Sequence, residues 1–171
     1  MLNIITIEDA LYAWVNGVTS LTTIFAHQDA PRPSGEYVLI NILQSTPNGW
    51  ADQELTLNDT LVDVDYSTVE ELFISINVYR GTAFQTATKL KDSLARVTEN
   101  EKLYVAGLGY SRVGTINDIP EEIDKQWEQR AQFDCFFFTR SLDEETIETI
   151  RKVEITNNIN DDGDTVIIEK P

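Results

Sequence analysis

The stretch "YRGTAFQ" (79–85) places one glycine between an apolar run and a helix-like pattern. In many α/β proteins such a junction holds a phosphate, because backbone N–H groups at a helix start attract anions. The full chemistry needs several glycines and a lysine just before the helix. Here Gly81 stands alone and no lysine precedes Thr82. "GLGYSRVG" (107–114) imitates a dinucleotide fingerprint, but the third glycine falls at Gly114 and Arg112 occupies the required position. "NINDDGDTVIIE" (158–169) has the spacing of a calcium loop through Asn158, Asn160, Asp162, Gly163 and Glu169. Asn158 replaces the first carboxylate, and the two residues after Glu169 leave no exit helix, so the letters read better as a hairpin around Asp162-Gly163. Cys135 sits within "FDCFFF", a setting for a packed thiol and not a thiolate. His27 with Asp29 would be a base and its partner only by accident of a loop, and Asp63 with Asp65 is a carboxylate pair expected by chance among 29 acids. These residues predict no catalytic site, no cofactor and no metal.

Charge excludes another class. Asp and Glu number 29 against 13 Lys and Arg, a formal charge of −16. Proteins that grip DNA by its phosphates cluster cations, so this chain is expected to repel DNA over most of its surface. One cysteine permits no internal disulfide, which suits a reducing compartment. No apolar run approaches the ~20 residues of a membrane span, and the N-terminus lacks the form of a signal peptide. The expectation is a soluble protein made in a cytoplasm, with 171 residues and 42% apolar content building one core.

The elements follow from periodicity. Thr6 to Asp9 has the form of a helix N-cap, with Ile7, Leu11, Trp14, Val15 and Val18 on one face and Gly17 weakening or ending the helix. Residues 26–36 read as a loop, and 37–43 as a strand covered on both sides. Residues 50–71 carry seven acids and no base: Asp52, Glu54, Asp59, Asp63, Asp65, Glu70 and Glu71. They predict an extended acidic loop or projecting hairpin. Leu72, Ile74, Ile76 and Val78 form the apolar face of a strand. Thr82 and Gln85 have the spacing of a capping box, followed by a stripe of Ala83, Ala87, Leu90, Leu94 and Val97. Short strands are expected in 102–116, an acidic turn in 117–124, and a long strand over 126–140. Ser141 to Glu144 predicts one helical turn, and "VEIT" and "TVIIE" two further strands.

This order of elements resembles the neck/tail terminator (tail completion) proteins of tailed bacteriophages. The resemblance covers roughly residues 5–157 and rests on strand patterns with marker residues Arg32, Pro33, Arg80, Gly81, Trp127, Arg130 and Gln132. It implies an α+β fold, a mainly antiparallel or mixed sheet with two principal helices on one face. One domain over 1–157 and a C-terminal hairpin or extension over 158–171 are expected. It also implies a homo-hexameric ring that caps the tail tube, meets the head–neck connector and lets DNA pass its lumen without specific binding. Such a protein would be in the host cytoplasm during assembly and then in the virion neck. Asp52, Glu54, Asp59, Asp63, Asp65, Arg80, Arg112 and Arg130 are candidates for the interface or lumen. The competing readings are another tail component, such as a tube or baseplate protein, and an enzyme or small-molecule binder.

Overall fold

A computed structural model of the chain describes residues 2–28, 31–58, 61–123, 125–148, 152–156 and 165–169. Helix α1 spans Ile4–Thr19, one turn earlier than the sequence suggested. Its cap is Asn3, whose side-chain oxygen accepts from the Thr6 N–H at 3.2 Å, so Thr6 lies inside the helix. Gly17 does not end it; Ser20 does, in a left-handed conformation. The buried face of Ile7, Ala10, Leu11, Trp14 and Val15 follows the expected spacing.

Strands β1 (Thr22–Phe25) and β2 (Tyr37–Pro47) pair in parallel. β3 (Asp52–Asn58) and β4 (Leu61–Tyr79) form an antiparallel hairpin, whose pairing closes on Asn58 and Leu61. Helices α2 (Ala83–Ser93) and α3 (Val97–Val105) follow. Then come β5 (Gly109–Val113), the short β6 (Asn117–Asp118), β7 (Glu121–Ile123) and β8 (Gln126–Glu128), and β9 (Arg130–Glu148). β10 (Lys152–Thr156) and β11 (Thr165–Glu169) pair antiparallel. The fold is thus α+β with a mixed sheet ordered β1-β2-β4-β9-β5, to which β3 adds on β4 and β6 on β9.

Two compact units divide the chain: Met1–Trp50 with Thr68–Ser141, and Ala51–Ser67 with Leu142–Pro171. In the larger unit, alternate residues of the central strands point to one side. Val38 and Ile40, then Leu72, Ile74, Ile76 and Val78, then Ala131, Phe133, Cys135 and Phe137 are all buried there. The buried faces of α1 and α2 pack on them, closing a single core. Trp14 donates its indole N–H to Ser93 Oγ at 2.9 Å, which satisfies the polar edge of a buried ring. β2 is lined on one side by the core, while on the other Tyr37 is buried and Leu39 and Asn41 are half-buried.

Several expectations fail for local reasons. The stripe through Leu94 is buried, but Val97 is 80% exposed, because α2 stops and a tight turn intervenes. Asn100 donates to the Leu94 carbonyl at 2.6 Å and so caps the break. Residues 102–105 continue α3 and are not a strand, so the described residues add a short third helix to the two principal ones. No capping box forms: the Thr82 hydroxyl makes no cap bond. Residues 117–124 contain two short strands and not only a turn. The strand expected over 126–140 breaks at Gln129, and β9 runs on to Glu148, so Ser141 starts no helical turn. The Ser141 hydroxyl donates to Glu70 at 3.2 Å instead.

In the smaller unit, β3 and β4 pair from Asp52 opposite Ser67 to Asn58 opposite Leu61. The C-terminal pairing runs from Lys152 opposite Glu169 to Thr156 opposite Thr165. The hairpin read from "VEIT" and "TVIIE" is therefore present, while its proposed turn at Asp162-Gly163 lies outside the described residues.

Candidate functional site

Strand β4 in the larger unit has a second face, opposite the core. Phe73, Ser75, Asn77 and Tyr79 occupy it, since side chains alternate along a strand. Tyr37 lies opposite Tyr79 in the register, and the two rings stack at 4.8 Å. Three guanidinium groups gather on these rings. Arg32 lies 5.1 Å from the Tyr79 centroid and 5.8 Å from that of Tyr37; Arg130 lies 5.1 Å from Tyr79; Arg80 lies 6.0 Å from Tyr37. A cation over an aromatic face is attracted by the ring quadrupole.

Each arginine is also held from the side. Arg32 donates to the Tyr37 hydroxyl at 2.7 Å and to Glu128. Arg80 donates to the Pro33 carbonyl at 2.6 Å and approaches Glu128 at 3.6 Å. Arg130 donates to Asn77 at 3.0 Å and approaches Glu121 at 3.8 Å, while its Nε is buried without a hydrogen-bond partner. Burial works to lower the Arg32 pKa, but the Tyr37 hydroxyl and Glu128 outweigh it and the net shift is upward. Burial likewise raises the Tyr79 pKa, against the pull of Arg130.

Arg80 and Gly81 both adopt positive φ, 67° and 53°. That reversal turns β4 into α2 beside residues 31–36. A side chain at Gly81 would place its Cβ 2.5 Å from Glu36 Oε2, and the other oxygen of that carboxylate accepts from Thr86 at 2.9 Å. The junction is thus closed by protein groups where a phosphate would otherwise sit. Beside it, Ser34, Arg80, Gly81, Ile123, Trp127 and Glu128 line a cleft of about 560 Å³. Trp127 is 69% exposed there.

Arg112 stands apart from this cluster. It lies 3.8 Å from the Phe136 centroid and grips Glu71 with two nitrogens; Phe136 in turn stacks on Phe73 at 4.9 Å. Between the two sites, Gln132 bridges Ser75, Asp134 and Asn117. Four of the chain's seven arginines therefore lie on the sheet face that the helices leave uncovered.

The acidic candidates fall in the smaller unit. Asp52 pairs opposite Ser67, Glu54 opposite Asp65, and Thr56 opposite Asp63. Directly opposed residues point to the same side of a sheet, so Asp52, Glu54, Asp63 and Asp65 share one face of the hairpin. Val62 and Val64 are buried on the other, with the exposed Leu55 and Leu57 opposite them. Thr146 of β9 donates to Asp63 at 2.8 Å, which puts Glu144 and Glu148 on the acidic face as well. Tyr66 donates to Glu145 at 3.0 Å on the reverse side, which raises the tyrosine pKa. Asp59 lies outside the described residues. The smaller unit's segments hold 14 of the 29 acids and three of the 13 bases, a net −11 of the chain's −16.

Among the described residues, the thiol and the histidine considered for chemistry stand apart. Cys135 is fully buried, and burial raises its pKa far above the ordinary thiol range. His27 is exposed on a turn, and its suggested partner Asp29 lies outside the described residues. Asn158, Asn160, Asp162 and Gly163 also lie outside them. Among the described residues no three His, Cys, Asp or Glu side chains gather as metal ligands would. No described helix is long and apolar enough to cross a membrane. A larger groove of about 850 Å³ has Tyr104 and Arg140 as the ionisable groups among its described lining residues.

A family model described as phage neck terminator protein matches residues 6–162. The chain belongs to that family. A search of curated proteins finds no match. The family match reaches a few residues beyond the span of the resemblance drawn from the sequence. The structure brings the scattered marker residues to one end of the sheet. Pro33 accepts from Arg80, Gly81 and Trp127 line the cleft beside Arg80, and Arg32 and Arg130 share the Tyr79 ring. Gln132 extends the same polar ladder toward Ser75. Of these residues, Arg32, Pro33 and Arg80 tie the end of the sheet to the 31–36 loop. Sequence reasoning missed Tyr37, Tyr79, Asn77, Glu36 and Glu128, whose roles depend on strand register and on contacts between segments far apart in the chain, from Tyr37 with Tyr79 to Arg32 with Glu128.

Proposed function

We propose that this chain is a structural virion protein whose copies form a closed ring, six in number by the resemblance of its sequence to tail terminators. The ring caps the end of the phage tail tube, meets the head–neck connector, and lets DNA pass through its lumen. The observation that carries this reading is the match to the phage neck terminator family over residues 6–162. The charge distribution supports it. A surface beside passing DNA works best without cation clusters that would release counterions and bind, and the hairpin face of Asp52, Glu54, Asp63 and Asp65 has that character. Host cytoplasm during assembly and the neck of the virion afterwards follow from the same reading. Electron microscopy of the purified protein tests it. Rings with a central hole are expected, and a species that stays monomeric at high concentration would overturn the ring.

A further inference from the structure

A closed ring with rotational symmetry needs a heterologous interface, so each copy must offer two different patches that fit each other. The two units supply patches of opposite character. In the larger unit, Arg32, Arg80 and Arg130 crowd onto two tyrosine rings, with Glu128 and Glu121 the carboxylates within ion-pair distance among the described residues. Their side chains are 39%, 31% and 30% exposed, so the charges are oriented by the fold yet reachable. Trp127, largely exposed, borders the adjoining cleft. Arginine and exposed tryptophan are the side chains enriched in protein interfaces.

In the smaller unit, the acidic face brings Asp52, Glu54, Asp63, Asp65, Glu144 and Glu148 together. There is no Lys or Arg in residues 51–67 or 142–148. Two such faces cannot meet each other without strong like-charge repulsion, which excludes a self-complementary contact there. A neighbour's arginine cluster has the opposite sign and spare N–H donors.

We propose that the arginine-bearing sheet face of the larger unit docks the acidic β3–β4 hairpin face of a second copy, head to tail around the ring. This contact rests on the ring reading above, and the test separates the two. The first variant is Asp52→Arg with Asp65→Arg. It reverses two charges, and the second change sets an arginine opposite Glu54, so the hairpin gains a favourable pair and should fold. Circular dichroism melting checks that it does. By sedimentation velocity, the protein concentration at half-assembly should rise about tenfold or more, since charges turned from attraction to repulsion cost kcal/mol. Wild-type assembly should weaken as salt is added, over the range where the Debye length shrinks below about 10 Å.

A second arm reads contact directly. Chains carrying Asp65→Cys are mixed with chains carrying Trp127→Cys and treated with a bis-maleimide; the native thiol, Cys135, is buried and quiet. Covalent dimers should form in the mixture and not in either variant alone. Three results overturn the contact while leaving the ring intact: rings that the double reversal leaves unchanged or strengthens, rings favoured by salt, and rings that give no cross-link. A wild type that never assembles overturns the ring reading and the contact with it.

Discussion

Cys135 shows what a single buried residue does to the whole chain. Its side chain on β9 is fully buried in the core, with the sulfur 3.6 Å from the Ile74 carbonyl of β4. Burial disfavours the thiolate, so the folded pKa lies far above the unfolded value of about 8.5. The sign follows from proton counts. As pH rises past about 8.5 the unfolded chain releases the thiol proton while the folded chain keeps it, so the unfolded state binds fewer protons and stability falls. The contribution is complete below pH ~8.5 and declines by about 1.4 kcal/mol per pH unit above it. Denaturant midpoints from pH 8 to 10 should show that slope in wild type and a flatter one in Cys135→Ala, whatever the packing cost of the substitution. Equal slopes would mean that the thiol reaches solvent in the native state. Tyr79, also raised by burial, adds to the decline only near and above pH 10.

At the scale of elements, periodicity was most legible where one face is fully buried. The alternation of Leu72, Ile74, Ile76 and Val78 located the core side of β4, and Ile7, Leu11, Trp14 and Val15 located that of α1. It was least legible where tertiary bonds override local ones. The Thr82–Gln85 spacing suited a capping box, but the junction is set by Glu36 bonding Thr86 and by the positive φ of Arg80 and Gly81. α3 was hidden because only Leu103 of it is buried, and Tyr104 and Val105, strand-like letters, are exposed. The acidic candidates were visible as composition, but their common face depends on a register that no glycine turn announces. That register has a consequence. Glu54 stands directly opposite Asp65, and opposed like charges destabilise a sheet. Glu54→Lys should therefore stabilise the folded chain by about 0.2–1 kcal/mol at low salt, with the gain shrinking as salt is added. Thermal melts across a salt series check it, and a loss of stability at low salt would show that the two side chains are not neighbours.

At the scale of the whole molecule, the separation of charge decides how the protein meets DNA. The segments of the smaller unit carry −11, and the remainder of the chain −5. The positive groups of the larger unit are compensated where they cluster: Arg32 and Arg80 by Glu128, Arg130 by Glu121, Arg112 by Glu71. Affinity for a duplex comes chiefly from cations that displace condensed counterions, and each phosphate neutralised steepens the dependence on salt. Four arginines beside carboxylates make a local patch and not a track along a duplex, and the chain's −16 repels phosphates around that patch. The expected outcome is no retardation of duplex DNA in a gel shift at about 150 mM salt, and none at about 50 mM, where a cationic track would gain orders of magnitude in affinity. The variant Glu71→Gln sharpens the test, because it frees Arg112 and leaves the hairpin untouched. If wild type shifts DNA and the shift weakens steeply with salt, the open sheet face is a DNA-binding track, and the separation of the two charges serves the nucleic acid and not the assembly of the ring.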